Sequence, residues 1–242
     1  MARRSNFGQQ AFEFKIWGGK RKGAGRPPKA KRASEPQQRR ARFSRPTAVH
    51  VTLRVLDRVG KLRRRAIYKA VGRAVIAVLP RGDFRIVHLS LEADHIHVIC
   101  EADNHRALAA GIKAFQSSAA QHINQVLSAE RGRRIRGQVF RDRYHARRLT
   151  SPTQARNALA YVLNNWRHHG QDTSAVTRSW RVDYFSSGPS FADWLELGGS
   201  AFLDPVPATY ERLMVARPLT WLLATGWQRT GTISMASVPG GN

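Results

Sequence analysis

Asp94-His95-Ile96-His97-Val98-Ile99 alternates polar and apolar residues with a period of two, the pattern of a β-strand whose side chains point to opposite faces in turn. His95 and His97 fall on one face; Ile96, Val98 and Cys100 fall on the other. Paired imidazoles on a sheet face form a half-site for a divalent metal, so this strand bears on the chemistry as well as the fold.

Upstream of it, Glu92-Ala93-Asp94 reads as a tight turn. Residues 84–91 read as the preceding strand, with Val87, Leu89 and Leu91 on one face and His88 and Ser90 on the other. Ile67, Val71, Val75 and Val78 recur at helical spacing before Pro80, which predicts a helix over 61–79. Val49, Val51 and Leu53 alternate with His50, Thr52 and Arg54 in a first strand. Downstream, Leu108, Ile112, Phe115, Ala119, Ile123 and Val126 predict a long helix over 105–129. A basic, glycine-containing loop (130–137) then leads to a strand over 139–149. Ser151-Pro152-Thr153-Gln154 supplies an N-cap, a first-turn proline and a capping-box glutamine. The helix it starts runs to His168 and stops at Gly170. The order β-α-β-β-α-β-α predicts an α+β fold: a ferredoxin-like antiparallel sheet with helices on one face, plus an additional C-terminal tyrosine-bearing helix. Those helices are expected over Val49, Val51, Val87, Leu89, Ile96 and Val98. The opposite face, bearing His50, Thr52, His88, Ser90, His95 and His97, is expected to be uncovered.

The last helix carries Ala160-Tyr161-Val162-Leu163-Asn164-Asn165. At about 100° per residue from Leu159, the residues Val162, Leu163 and Trp166 form its buried stripe. Tyr161 falls near 200° and Asn165 near 240° on the same count of about 100° per residue, off that stripe and on the same side as each other. His168 reads as a favourable charge at a helix C-terminus.

The 242 residues carry a formal charge of +25, which calls for a polyanionic partner, most simply nucleic acid. Only eight of the 41 basic residues are lysine, and arginine forks suit phosphate and guanine. The single cysteine, Cys100, excludes an internal disulfide and a cysteine-cluster zinc site. No apolar run has the length of a membrane span and no signal core follows the basic start, so a cytoplasmic protein close to the nucleoid is expected, with no membrane partner. Residues 1–46 hold fourteen Lys and Arg against Glu13 and Glu35, a net +12, and are expected to form a disordered basic arm. Within it Gly25-Arg26-Pro27-Pro28-Lys29 resembles the Gly-Arg-Pro core of an AT-hook, which would put Arg26 in a minor groove; a generic basic linker is the competing reading.

His-hydrophobe-His on a strand, then Phe140-Arg141-Asp142-Arg143-Tyr144, then a helical tyrosine with an amide four residues on, resembles the single-tyrosine HUH transposases of small insertion sequences and their relatives associated with repetitive extragenic palindromes. The likeness covers residues 47–172; residues 173–242 are an extension of unknown role. Asn165 is followed by Trp166 where many relatives have Asn-Pro. The resemblance implies that His95 and His97 bind Mg²⁺ or Mn²⁺ with Asn165 as third ligand, His50, His88 and Asn164 being alternatives. It also implies that Tyr161 attacks single-stranded DNA beside a hairpin, leaving a 5′-phosphotyrosine and a free 3′-hydroxyl, so that rejoining needs no ATP. Lys113, Arg141 and Arg143 are expected phosphate contacts, and Tyr144 is the next candidate nucleophile. No general base is visible. Two other readings compete: a non-catalytic, domesticated nucleic-acid-binding protein on the same fold, and a metal nuclease using activated water. Monomer and homodimer remain equally open.

Overall fold

Four strands form one antiparallel sheet in the order β2-β3-β1-β4: β1 (Thr47–Arg54), β2 (Phe84–Leu91), β3 (His95–Ala102) and β4 (His145–Arg148). This computed structural model describes residues 42–141, 143–174, 177, 180–198 and 210–239, all within the unit Glu35–Asn242. The basic arm through residue 41, Arg26 included, lies outside the described residues. Helices α1 (Arg65–Val78) and α2 (His105–Glu130) cover one face of the sheet, burying Val49, Val51, Leu53, Ile96, Val98 and Cys100 beneath Ile67, Val71, Ile112 and Phe115. Asn104 caps α2 by accepting from the backbone N–H groups of Arg106 and Ala107. Gly111 lets α2 settle onto Phe84, whose ring would clash with any added methyl. Together these elements give the α+β, ferredoxin-like arrangement. None of the described helices is long and apolar enough to cross a membrane.

Helix α3 (Pro152–His168) begins as its sequence predicts. Ser151 accepts from the Gln154 N–H, Gln154 reaches back to the Thr150 N–H, and Gly170 follows at φ 59°. It packs on the second face of the sheet, against Ala48, Val87 and Ile99.

Three expectations need correction. First, the face bearing the histidines is not uncovered: α3 and the C-terminal extension bury it, with Val182, Tyr184, Phe191, Trp194 and Trp227 in its core. Second, Val87 lies on this second face and not beside Leu89, because a bulge between Ile86 and His88 inserts one residue into β2 and reverses the local alternation. Third, the strand expected over 139–149 is divided. Residues 139–141 pair with 54–56, and β4 pairs with Val49–Thr52. The chain between the two pairings has more residues than β1 opposite, and Tyr144 there turns into the α1/α2 core.

Two buried carboxylates fasten the extension. Asp183 takes a bidentate pair from Arg63 at 2.8 Å, which also donates to the Leu91 carbonyl. Glu101 accepts from Arg85 and from the backbone N–H groups of Leu219 and Thr220, just ahead of the short helix α4 (Trp221–Ala224). The Asp183 side chain is 1 % exposed and that of Arg63 12 %, so removing one partner strands a charge out of water. Asp183→Ala is expected to lower unfolding stability by about 3 kcal/mol, measurable by urea denaturation.

Candidate active site

The site assembles where β1, β2 and β3 meet α3. His95 and His97 project from β3 toward that helix, and their Nε2 atoms stand 2.9 Å apart. His95 Nδ1 contacts the Asp94 carboxylate at 2.7 Å. A carboxylate only accepts, so Nδ1 carries the proton and His95 Nε2 presents its lone pair. His97 Nε2–H then donates to that lone pair, and His97 Nδ1 accepts from Thr52 Oγ1 at 3.2 Å and from His50 Nε2 at 3.1 Å. These tautomers are assigned from the network.

Burial holds the cluster neutral. Desolvation, then the neighbouring imidazoles, lower His97 to about 2. Desolvation, then electrostatic repulsion by His145 and Arg147, lower His50 to about 4. His95 is also lowered, since desolvation outweighs the opposing pull of Asp94. Neutral imidazoles are the form that binds metal.

The Tyr161 ring meets this cluster edge-on, 5.0 Å from the His97 ring and 5.9 Å from that of His50. Desolvation, then the field of Glu92, raise its phenol above the ordinary tyrosine value. One turn on, Asn165 is fully buried with its amide facing the Glu92 carboxyl and the Tyr161 hydroxyl, though no hydrogen bond of good geometry forms there among the described residues. Buried polar atoms rarely stay unsatisfied.

Glu92, which the sequence assigns to a tight turn, also belongs to the site. It sits directly across from His95, its N–H bonded to the His95 carbonyl, and its carboxyl is buried. Oε1 accepts from Ser90, and the Asn165 amide also faces the carboxyl. Desolvation, then repulsion by Asp183, raise it to about 7. The period-two pattern offered a signal: Glu92 continues the face of Ser90. A group that binds its proton more tightly folded than unfolded stabilises the protein fully below its unfolded value. That contribution is lost as pH rises from about 4.5. Glu92→Gln is therefore expected to raise stability by roughly 2–3 kcal/mol at pH 8 and to leave it unchanged near pH 4, as thermal unfolding at the two pH values would show.

Other sequence candidates lie apart. His88 bonds Ser187 Oγ and packs edge-on against Phe191, which makes it a core histidine. Asn164 donates to the Ser234 carbonyl, away from the imidazoles. Lys113 is on α2, across the sheet from Tyr161. Arg141 is paired with Asp57 at 2.7 Å, and Arg143 is exposed on the segment before β4. Among the described residues no three His, Cys, Asp or Glu side chains gather as a ligand set. The site nonetheless fits a cation. Metal–nitrogen bonds of about 2.1 Å put two nitrogens on adjacent corners about 3 Å apart, which is the spacing of the His95 and His97 Nε2 atoms.

A family model described as "Transposase IS200 like" matches residues 45–165, the span from the start of β1 through Asn165. No curated protein matches the chain. Among solved structures, a REP-associated tyrosine transposase bound to a REP hairpin is similar over 77 % of this chain and all of its own, at 15 % identity and a TM-score of 0.50. A candidate transposase of Deinococcus radiodurans R1 is similar over 59 % of this chain and 99 % of its own, at 11 % identity and a TM-score of 0.35. The first of these shares the fold: a four-stranded antiparallel sheet with the same helical layers. With half of its length matched to the family model, and the histidine strand and the tyrosine helix both inside the match, the chain belongs to the IS200-like transposases.

Proposed function

We propose that the protein nicks and rejoins single-stranded DNA beside a hairpin through a covalent bond to Tyr161. The observation that carries this reading is the meeting of the Tyr161 ring with the neutral His97 imidazole, which is itself paired with His95. His95, His97 and Asn165 are the residues that would hold Mg²⁺ or Mn²⁺. Bound there, the cation would draw charge off the oxygens of the scissile phosphate. Tyr161 Oη forms a bond to phosphorus, and the bond from phosphorus to the 3′ oxygen breaks. The phenolic proton passes to the Glu92 carboxylate, whose affinity near neutrality suits a general base, and the 3′ oxygen takes a proton from water. The energy of the phosphodiester stays in the phosphotyrosine, so a second 3′-hydroxyl can reverse the step.

His50 and Thr52 position His97. For His97 to offer Nε2, its proton must move to Nδ1, where Thr52 Oγ1 can accept it. Thr52→Val is expected to weaken Mn²⁺ binding 10- to 100-fold, on the order of other second-shell losses, as followed by the free-Mn²⁺ electron paramagnetic resonance signal.

A hairpin substrate is supported by the charge of +25, and the structural relative is itself described bound to a REP hairpin. End-labelled hairpin oligonucleotides with Mn²⁺ test the proposal. A 3′ label should run with the protein on a denaturing gel, while a 5′ label is released as a shorter strand. Tight hairpin binding without either product would favour the non-catalytic reading, and two released fragments would favour a water-using nuclease.

A further inference from the structure

Beside Tyr161, on the β4 side, lies a cavity of about 390 Å³. His50, His145 and Tyr161 contribute rings to its wall, and Leu149 and Ala158 contribute apolar surface. Its polar lining is rich in donors. Arg147 projects from β4 with no hydrogen-bond or ion-pair partner among the described residues, though its charge is felt by His50. Gln154 also lines the cavity. Its Oε1 is held by the Thr150 N–H and hydroxyl, so what remains to it is the Nε2 donor. The site is open, next to the nucleophile, and large enough for a planar ring system.

We infer that this cavity is a base-reading subsite that takes a guanine of the single-stranded DNA flanking the scissile phosphate. Guanine offers two adjacent acceptors, O6 and N7, which a guanidinium fork matches, whereas adenine turns an amino donor toward the same fork. The apolar lining and the rings of the wall accept the base plane, aromatic side chains being the usual platforms for bases in single-strand sites. Arg147 would then specify a base rather than only neutralise phosphate. The inference rests on the part of the proposed function that brings single-stranded DNA to the face beside Tyr161.

The test uses binding, so that it stands apart from catalysis. Full-length Tyr161→Phe protein is titrated by fluorescence anisotropy with hairpin oligonucleotides. Each single-stranded position in turn is G, A, C, T or abasic. One position should favour G over A and over the abasic site by about tenfold or more, the discrimination of one bidentate contact. Arg147→Ala, at an exposed place on an edge strand, should flatten that preference and leave the others intact. No position with a G preference would overturn the inference. So would an equal loss across all oligonucleotides in Arg147→Ala, which marks a phosphate contact. A wild-type protein that forms no adduct but shows the Arg147-dependent preference would refute the catalytic reading and leave the subsite standing.

Discussion

Tyr161→Phe is expected to abolish covalent attachment to hairpin-flanked single-stranded DNA, a loss of at least about a thousandfold, as for other removed nucleophiles. The substitution deletes one oxygen and keeps the ring that packs beside His97 and His50. The fold and DNA binding should therefore change little, and loss of stability cannot mimic loss of chemistry. Tyr144 offers no bypass, because it is buried in the core on the α1/α2 side of the sheet. Comparing adduct yield with anisotropy on the same preparation separates the two effects. A variant that still forms adducts at the wild-type rate would remove Tyr161 from the reaction.

His97→Ala is expected to be the next most severe change. His97 is the hub of the cluster: it contacts His95 through one ring nitrogen and His50 and Thr52 through the other. Its loss takes one of two imidazole donors and leaves a cavity beside the phenol. Adduct formation should fall at least about a hundredfold, more than for a second-shell change, and millimolar Mn²⁺ should not restore it. Hairpin affinity should stay within about threefold, since phosphate contacts made elsewhere dominate nucleic-acid binding. The protein should also resist acid better. His97 and His50 are lowered to about 2 and about 4, so the wild type loses stability as pH falls below about 6.5, where the unfolded chain takes up protons that the folded one refuses. Removing His97 removes its share of that loss. Equal adduct yields in His97→Ala and wild type would mean that the imidazole pair serves the fold alone.

Local chemistry made much of this architecture legible. The alternation in 47–54 and 94–99 placed β1 and β3 and assigned their faces correctly, and the cap at Ser151 placed α3 to the residue. Helical phase put Tyr161 and Asn165 on one side of α3, and in the structure Tyr161 lies against the imidazoles while Asn165 is buried one turn on. What the residues could not reveal depends on distant partners. Nothing near Asp183 announces Arg63, and nothing near Glu101 announces Thr220, yet these contacts cover the face that its own polarity suggested was open. Glu92 was hidden for the same reason: a carboxyl in a hairpin turn is ordinarily solvated, and only the docking of α3 and the extension buries it. The bulge at Val87 escaped because Val and His alternate there as in a regular strand, and the extra residue shows only in the pairing with β3.

The central claim is that the Tyr161 phenol works beside a cation held by His95 and His97. Peptide mass mapping of protein incubated with hairpin single-stranded DNA, with and without Mn²⁺, measures it most directly. The account predicts a nucleotide-bearing peptide modified at Tyr161 that forms with Mn²⁺ and disappears on chelation. An adduct at any other residue, or one that forms equally well without metal, would contradict it.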